Sequence, residues 1–421
     1  MSRGQISRRG LLVTAGATTA VVGGAAAVAV TRPTSSSSSP GSVDYPFYGE
    51  HQAGIVTPAQ DRMHFAAFDV DARLDRAGLV GLLKDWTAAA ERLTRGAGAG
   101  PVGPLSGSYD APPDDTGEAI GLPSGGLTIT FGFGPSLFGA ISSSGGGEDR
   151  FGLAGQRPAS LVRLPHFPGD DLNEAMSDGD LCVQACSDDP QVAVHAIRNL
   201  TRIAMGRAAL RWSQLGFGRT SSTSTSQATP RNLFGFKDGT MSLKAEDASG
   251  VEEHVWVGEP GWLQGGSYLV ARKIMMHVET WDRSSLREQE RLIGRTKSEG
   301  APLSGGGEFS EPDFAMTGRG GAPLVDPSSH VAMAHPSRNG GVRMLRRGYN
   351  FVDGNDALGR LSAGLFFIAF VADPVTHYVP MQTAMAKNDL LSEYLQHVGS
   401  GLWAVPPGAR PGEYVGQGLL G

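Results

Sequence analysis

Residues 63–69 read M-H-F-A-A-F-D, and their side chains alternate between two faces as in a β-strand. The next segment, residues 76–95, has the periodicity of an amphipathic helix. One stripe of this helix carries large apolar side chains, namely Leu79, Leu82, Leu83 and Trp86. This half of the chain also contains two predicted strands, at 126–134 (G-L-T-I-T-F-G-F-G) and 180–186, and a second long helix at 190–212.

The second half of the chain repeats this pattern. Its predicted strands lie at 267–278 and 365–371, and its predicted helices lie at 280–293 and 389–398. The order strand, helix, strand, strand, helix, strand in each half favours an antiparallel sheet backed by helices. We therefore predict an α+β fold with two ferredoxin-like domains.

Two segments rich in Ser and Thr divide the chain. The first, T-S-S-S-S-S-P within residues 34–40, indicates a flexible linker over residues 30–44. The second, R-T-S-S-T-S-T-S-Q-A-T-P at 219–230, indicates either a domain boundary or a long surface loop. The predicted N-terminal and C-terminal domains are accordingly residues 45–218 and 231–421.

The first 29 residues have the features of a bacterial export signal. Adjacent Arg8 and Arg9 precede a weakly apolar run at 11–30, which ends in small residues at 27–29. The paired arginines favour the twin-arginine route. A permanent membrane anchor fits less well because Gly and Thr occur throughout the run. We therefore expect a mature protein without a stable membrane span in the periplasm, cell envelope or extracellular space.

Composition excludes several classes of protein. The chain has 421 residues, of which 40% are hydrophobic, so a wholly disordered protein is excluded. A net charge of −6 disfavours a nucleic-acid-binding role. Cys182 and Cys186 are the two cysteines, too few for a disulfide framework or a four-cysteine zinc site. We interpret them as small buried side chains on one face of a strand.

Residues 231–240, R-N-L-F-G-F-K-D-G-T, place Asp238 between Gly235 and Gly239. Glycines on both sides permit a tight turn and let the backbone approach a flat ligand closely. Taken alone, the same residues are also typical of an ordinary turn.

Residues 326–337, D-P-S-S-H-V-A-M-A-H-P-S, contain His330 and His335. A spacing of five puts the two rings on different faces of a strand or a helix, so they are not expected to bind one metal together. Either histidine could be structural, or one could be a single axial ligand of the kind that holds haem.

Residues 341–351, G-V-R-M-L-R-R-G-Y-N-F, contain Arg343, Arg346 and Arg347 beside apolar side chains. On a strand the adjacent pair faces opposite ways, so one guanidinium can point inward. A solvated basic edge is the alternative.

Taken together and in this order, the segments resemble the dye-decolourising peroxidase family of haem enzymes, in its exported twin-arginine branch (type A). The family's G-x-x-D-G motif is intact at 235–239, its proximal histidine matches His330, and its distal arginine matches Arg346. Further matches are D-G-D-L-C-V-Q-A-C-S-D-D-P at 178–190, F-G-F-G-P-S-L-F at 131–138 and G-L-F-F-I-A-F at 364–370. The resemblance extends from about residue 45 to the C-terminus. It implies a pair of ferredoxin-like domains with haem b in the second.

The resemblance implies a haem b peroxidase. Such an enzyme reduces hydrogen peroxide by heterolytic O–O cleavage to a ferryl intermediate and oxidises organic donors, such as dyes and phenols, in one-electron steps. His330 would be the proximal ligand of the haem iron. Asp238 would move the peroxide proton, and Arg346 would stabilise the developing negative charge. The proximal histidine needs a carboxylate partner, for which Asp389 is the first candidate and Glu393 the second.

The resemblance also implies a set of cofactor contacts: Phe236, Lys237, Asp238, Gly239, His335, Pro336, Ser337, Arg346 and Asp389. At position 335 the family more commonly has Asn. Leu365 and Phe367 are either walls of the distal pocket or ordinary core residues. Tyr349 and Tyr394 are interpreted as packing residues rather than as electron relays to the surface.

Two other functions remain open, namely iron release from haem and haem carriage without turnover. Carriers often use two axial ligands, whereas Asp238 and Arg346 do not readily ligate iron, and this favours the enzyme. The expected partners are hydrogen peroxide, small or bulky organic donors and the twin-arginine export machinery. An envelope redox or metal partner and an oligomeric state are left open.

Overall fold

The computed structural model describes residues 44–139 and 149–421, which contain nine strands and eight α-helices. The strands are β1 (Arg62–Val70), β2 (Thr128–Phe133), β3 (Leu181–Ser187), β4 (Ala208–Arg219), β5 (Ser267–Met276), β6 (Leu345–Arg346), β7 (Tyr349–Asn355), β8 (Leu361–Val371) and β9 (Leu395–Val405). The helices are α1 (Arg76–Thr94), α2 (Pro190–Ala204), α3 (Ala248–His254), α4 (Val278–Trp281), α5 (Leu286–Ile293), α6 (His330–Ala334), α7 (Tyr378–Asn388) and α8 (Gln417–Leu420). The expected export signal at 1–29 and the linker up to residue 43 lie outside the described residues.

Each half of the chain forms the predicted ferredoxin-like unit. In the first half the antiparallel strands lie in the order β4-β1-β3-β2, and in the second half in the order β9-β5-β8-β7. Counted along the chain, the strands of the two units are β1, β2, β3, β4 and β5, β7, β8, β9. In both units the first strand lies between the fourth and the third. The α+β fold with an N-terminal and a C-terminal domain is therefore confirmed.

The two sheets join at both edges. Phe133 of β2 is paired with Ala404 of β9, and Phe217 of β4 is paired with Asn350 of β7. Eight of the nine described strands therefore close into a ring of hydrogen-bonded neighbours, and β6 is paired with β8 beside the ring. An aromatic cluster fills this ring, in which the Phe65 ring lies 5.3 to 5.4 Å from the rings of Trp212, Phe366 and Trp403.

Helices cover the outer faces of the sheets. In α1 the predicted stripe of Leu79, Leu82, Leu83 and Trp86 is buried, and the helix begins where the Asp75 side chain accepts the N–H of Gly78. Such burial contributes about 2 kcal/mol for each large apolar side chain. Among residues 44–139 and 149–421, none of the helices has the length and apolar character needed to cross a bilayer.

Three predicted helices differ from the structure. The helix predicted at 190–212 ends at Ala204, because the chain turns at Gly206 (φ 77°) and then forms β4. The helix predicted at 280–293 is divided into α4 and α5, with Ser285 capping α5. The helix predicted at 389–398 is a short 3-10 turn followed by β9, while α7, directly before it, was not predicted.

The segment at 219–230 is a loop, but not a surface loop over its whole length. Residues 220–224 are buried, and the buried Arg347 guanidinium reaches the hydroxyl of Thr223 and the carbonyl oxygen of Thr57. The loop is therefore packed against the second half of the chain. Cys182 and Cys186 are buried on β3 as unpaired thiols, as predicted.

Candidate active site

His330 begins α6 and is hydrogen-bonded to Asp389. Nδ1 of His330 lies 2.7 Å from Oδ2 of Asp389. The other carboxylate oxygen of Asp389 accepts the N–H of Leu391 at 2.9 Å and so caps the turn after α7. Because the ionised carboxylate accepts, Nδ1 carries the hydrogen and Nε2 keeps its lone pair. Asp389, rather than the exposed Glu393, thus fixes the tautomer of His330.

The surroundings of His330 stabilise positive charge on the ring. Burial by itself lowers the pKa of His330, but the charge and hydrogen bond of Asp389 together with the charge of Asp238 outweigh burial and raise the pKa above its ordinary value. Asp389 has only 2% of its side chain exposed, so its charge is poorly screened. A cation at Nε2, either a proton or a metal ion, is therefore stabilised.

Asp238 and Arg346 form an ion pair on two separate segments. Nη1 of Arg346, on β6, lies 2.9 Å from Oδ1 of Asp238. The backbone N–H of Arg346 donates to the Ser242 hydroxyl at 3.0 Å, which fixes the strand against the loop after the G-x-x-D-G motif. Oδ2 of Asp238 accepts the side-chain amide of Asn232 at 3.2 Å. The carboxylate therefore has a donor on each oxygen.

The two glycines of the motif are required by the geometry of its loop. Gly235 has φ 80° and Gly239 has φ 76°, and residues other than glycine rarely adopt such positive φ angles. A Cβ atom on Gly239 would lie 2.8 Å from the backbone Cα of Ser221. The buried Ser/Thr-rich loop thus packs directly against the turn that carries Asp238.

One cavity of about 210 Å³ brings the predicted residues together. The predicted site residues that line it are Phe236, Lys237, Asp238, Gly239, His330, His335, Pro336, Arg346 and Asp389. Much of the wall is apolar, formed by residues that include Ile274, Ile293, Val331, Leu365, Phe367, Met381 and Met385. Leu365 and Phe367 are therefore cavity walls.

Ser337 is not among the residues that line the cavity, but it is hydrogen-bonded to His335, which is. Its backbone N–H donates to Nδ1 of His335 at 3.2 Å, so Nε2 carries the hydrogen and is a donor. Nε2 lies 2.8 Å from a carboxylate oxygen of Glu311. The contact does not have hydrogen-bond geometry, so the buried Nε2–H of the histidine at the position where Asn is more common has no hydrogen-bond partner among the described residues.

The two tyrosines that we interpret as packing residues are both buried. Tyr349 is fully buried within the ring of strands. Tyr394 packs edge-on against Trp281 with ring centres 5.2 Å apart, and its hydroxyl lies 3.1 Å from that of Ser284.

The cavity fits a flat, largely apolar cofactor that carries carboxylates. Arg295 lines it and is buried, and its Nη1 donates to the carbonyl oxygens of Gly300 and Glu308. Its Nη2 has no hydrogen-bond partner among the described residues. A buried guanidinium nitrogen without a partner is costly, and a carboxylate would satisfy it. Apolar walls, a free imidazole nitrogen and an unsatisfied cation together match an iron porphyrin.

Three groups in the cavity were not identified from the sequence. Asn232 belongs to the motif segment itself, but the contact of its amide with Asp238 depends on the turn. Arg295 lies in a segment without a motif. The face of α7 that includes Met381, Gln382 and Met385 was missed together with its helix.

Comparisons with known proteins agree with this arrangement. Models of the Dyp-type peroxidase family match residues 52–218 (N-terminal) and 229–410 (C-terminal). A DyP-type peroxidase structure from Streptomyces coelicolor is 41% identical, with a TM-score of 0.81, over 90% of this chain and 98% of that one. Ferric DtpA from Streptomyces lividans is 41% identical, with a TM-score of 0.80 and the same coverage. The deferrochelatase of Escherichia coli (strain K12) is 37% identical over 384 residues, 89% of this chain and 87% of its own length.

Proposed function

Because the chain belongs to the Dyp-type peroxidase family of haem-dependent oxidoreductases, we propose that it is a haem b peroxidase that reduces hydrogen peroxide and oxidises organic donors such as dyes and phenols. One observation carries the proposal. A single cavity contains a histidine held by a carboxylate, His330 with Asp389, and also an ion pair of the type that can move a proton and stabilise charge, Asp238 with Arg346.

The proximal residues would bind the cofactor. Nε2 of His330 would ligate the iron, and Asp389 accepts from Nδ1, which makes the imidazole a stronger electron donor. Arg295 and the Nε2–H of His335 are donors suited to the cofactor carboxylates. When bound, haem would take two oxidising equivalents from hydrogen peroxide and pass them to donors in one-electron steps.

The distal residues would act on hydrogen peroxide. Asp238 accepts the proton from one peroxide oxygen and returns it to the other, so that the leaving group is water. Arg346 carries a fixed positive charge beside Asp238 and stabilises the negative charge that develops as the O–O bond breaks. Apolar side chains form much of the cavity wall, and the lower local dielectric strengthens both interactions.

Export is proposed on the features of residues 1–29 alone. We infer that Arg8 and Arg9 direct the protein to the twin-arginine pathway and that the mature protein acts in the periplasm, cell envelope or extracellular space. Replacing both arginines by lysine should retain the protein in the cytoplasm, as measured by cell fractionation. Unchanged export of that variant would contradict the pathway assigned here.

Iron release from haem is the second candidate. It is favoured by relatives named deferrochelatase, which are 36–37% identical over 384 residues. The two candidates differ in the fate of the iron. A peroxidase keeps its iron through many turnovers, whereas iron release leaves a metal-free porphyrin.

The experiment follows both fates in one sample. Haem-loaded protein is mixed with peroxide and a phenolic donor, in the presence of a coloured chelator of ferrous iron. We expect oxidised donor to accumulate over many turnovers while the haem spectrum persists. Release of iron with little donor oxidation would support the second candidate, and the absence of both reactions would contradict the proposed function.

A further inference from the structure

We propose that Asn232 is a positioning residue for the distal carboxylate: its side-chain amide holds Asp238 in the orientation that transfers the peroxide proton. The inference rests on the proposed function of Asp238 and adds a residue outside the G-x-x-D-G motif. Asn232 lines the same cavity and comes six residues before Asp238.

The backbone N–H of Phe234 determines the direction of the hydrogen bond between Asn232 and Asp238. Oδ1 of Asn232 accepts the N–H of Phe234 at 3.0 Å, and a backbone N–H can only donate. The other end of the amide is therefore the NH₂ group, which lies 3.2 Å from Oδ2 of Asp238. Asn232 is thus a donor to the carboxylate, with its amide orientation fixed by its own turn.

The turn that carries this amide is itself anchored. The backbone N–H of Asn232 donates to the carbonyl oxygen of Phe236 at 3.1 Å, and its carbonyl oxygen accepts the N–H of Gly235 at 2.9 Å. Phe236 is buried, so this backbone is held by the core as well. The donor therefore has a defined position before any substrate arrives, as preorganised sites require.

Two donors on different oxygens fix the plane of the carboxylate. Arg346 holds Oδ1 at 2.9 Å and Asn232 holds Oδ2 at 3.2 Å. With Arg346 alone, the group could rotate about its Cβ–Cγ bond and exchange its oxygens. Since each carboxylate oxygen has two acceptor lone pairs, each keeps one for the peroxide proton.

A neutral donor suits this task better than a second cation. Asp238 must accept a proton and then release it, so the carboxylate must be held without being locked in its ionised form. A cationic donor adds a Coulomb attraction to the ionised carboxylate that a neutral amide lacks. The pair of Arg346 and Asn232 therefore gives fixed geometry with only one positive charge directly on Asp238.

The competing view is that Asn232 only shapes its turn. Its bond to the N–H of Phe234 is typical of such a role. Asn232→Asp separates the two roles, because a carboxylate at position 232 still accepts from Phe234 but no longer donates to Asp238. Asn232→Ala removes both interactions.

The test combines kinetics with structure. The rate constant for the reaction of haem-loaded protein with peroxide is measured for N232D, N232A, D238A and the double variant N232A/D238A, together with haem occupancy and thermal unfolding. We expect N232D and N232A to be slower than the parent by about tenfold or more, and N232A to change the D238A protein by less than about twofold. N232D should keep its haem occupancy and its unfolding temperature.

Two results would overturn the inference. One is a peroxide rate for N232D and N232A within about twofold of the parent. The other is an equal slowing by N232A in the parent and in D238A, since a residue that acts through Asp238 has no effect once Asp238 is gone. Crystal structures of cofactor-free N232D and N232A provide a readout that needs no reaction. We expect the Asp238 carboxylate to leave its present orientation, and an unmoved carboxylate in both would count against the inference even if the parent did not react with peroxide.

Discussion

Nδ1 of His330 and Oδ2 of Asp389 lie 2.7 Å apart, with Asp389 almost completely buried and the imidazole at the wall of the cavity. The carboxylate also caps the turn that follows α7. The Asp389 side chain therefore fixes the tautomer of His330, the expected iron ligand, and holds it against the turn after α7. Every role assigned to the cavity depends on this pair, because it decides which nitrogen is left for a metal.

Replacing Asp389 by Asn should weaken cofactor binding. The substitution removes the charge that makes His330 electron-donating, and loss of such a partner typically costs about 10- to 100-fold in metal affinity or activity. The ferric form should also lose stabilisation, so the reduction potential should rise. Haem transfer to an apo-globin and redox titration measure the two effects. Glu393→Gln is the matched control in the same turn, and a larger effect from that variant would contradict the assignment.

Replacing His330 by Ala should abolish stable haem binding. The substitution removes the one ligand that we assign to the iron, while the apolar walls and Arg295 remain. The Soret absorbance of reconstituted protein measures occupancy, and added imidazole should restore part of it. His166→Ala, at an exposed position, controls for the loss of a histidine. Equal haem retention in the two variants would show that the iron is held elsewhere.

Replacing Asp238 or Arg346 by Ala should slow the reaction with peroxide while leaving haem bound. We expect a loss of about 10² or more for each, because one removes the proton acceptor and the other the fixed charge. Stopped-flow spectroscopy at low peroxide concentration measures the rate constant. Arg360→Ala, on the exposed loop before β8, should react as the parent does. Parent-like rates in both distal variants would refute the roles given to this ion pair.

Gly239→Ala should destabilise the protein more than Gly359→Ala. Both glycines have φ 76°, so the strain of the backbone conformation is shared, but a Cβ atom meets the backbone of Ser221 only at position 239. We expect an additional loss of about 1–3 kcal/mol in the free energy of unfolding, as for other overpacked sites. Urea denaturation of both variants measures the difference. Equal losses would mean that the packing of the 219–230 loop against the motif does not constrain position 239.

The protein should lose stability in mild acid through His64. Burial lowers the pKa of His64 to about 4, against an ordinary value of 6.5. Between these values the unfolded chain binds a proton that the folded chain does not, so stability falls as the pH falls, by about 1.4 kcal/mol per pH unit. Urea denaturation of cofactor-free protein at pH 7 and pH 5 measures the slope. His64→Gln should flatten it, and an unchanged slope would contradict the prediction.

The sequence predicted the architecture well where local pattern and tertiary pairing agree, as in α1 and β5. It failed at 389–398, where Leu390, Leu391, Tyr394, Leu395 and Val398 follow a helical spacing. The segment instead forms a 3-10 turn at 390–394 and the start of β9 at 395–398, because pairing of β9 with β5 provides more hydrogen bonds and burial than an isolated helix would. Tertiary context overrides local propensity in such cases.

The sequence predicted the residues of the candidate site from their motifs and their order along the chain, but it did not indicate the distances between them. The resemblance implied that residues 238, 330 and 346 act on one cofactor, but the ion pair between residues 238 and 346 is seen only once the second sheet is in place. The sequence could not separate Asp389 from Glu393, since both lie in one short turn. The cap on Leu391 decides between them, because it points the Asp389 carboxylate inward.

The most direct test of the central claim is a crystal structure of the haem-loaded protein. We expect iron coordinated by Nε2 of His330, Asp389 hydrogen-bonded to Nδ1, and the Asp238–Arg346 pair on the opposite face of the porphyrin. Iron coordinated by any other side chain, or a porphyrin bound outside this cavity, would contradict it.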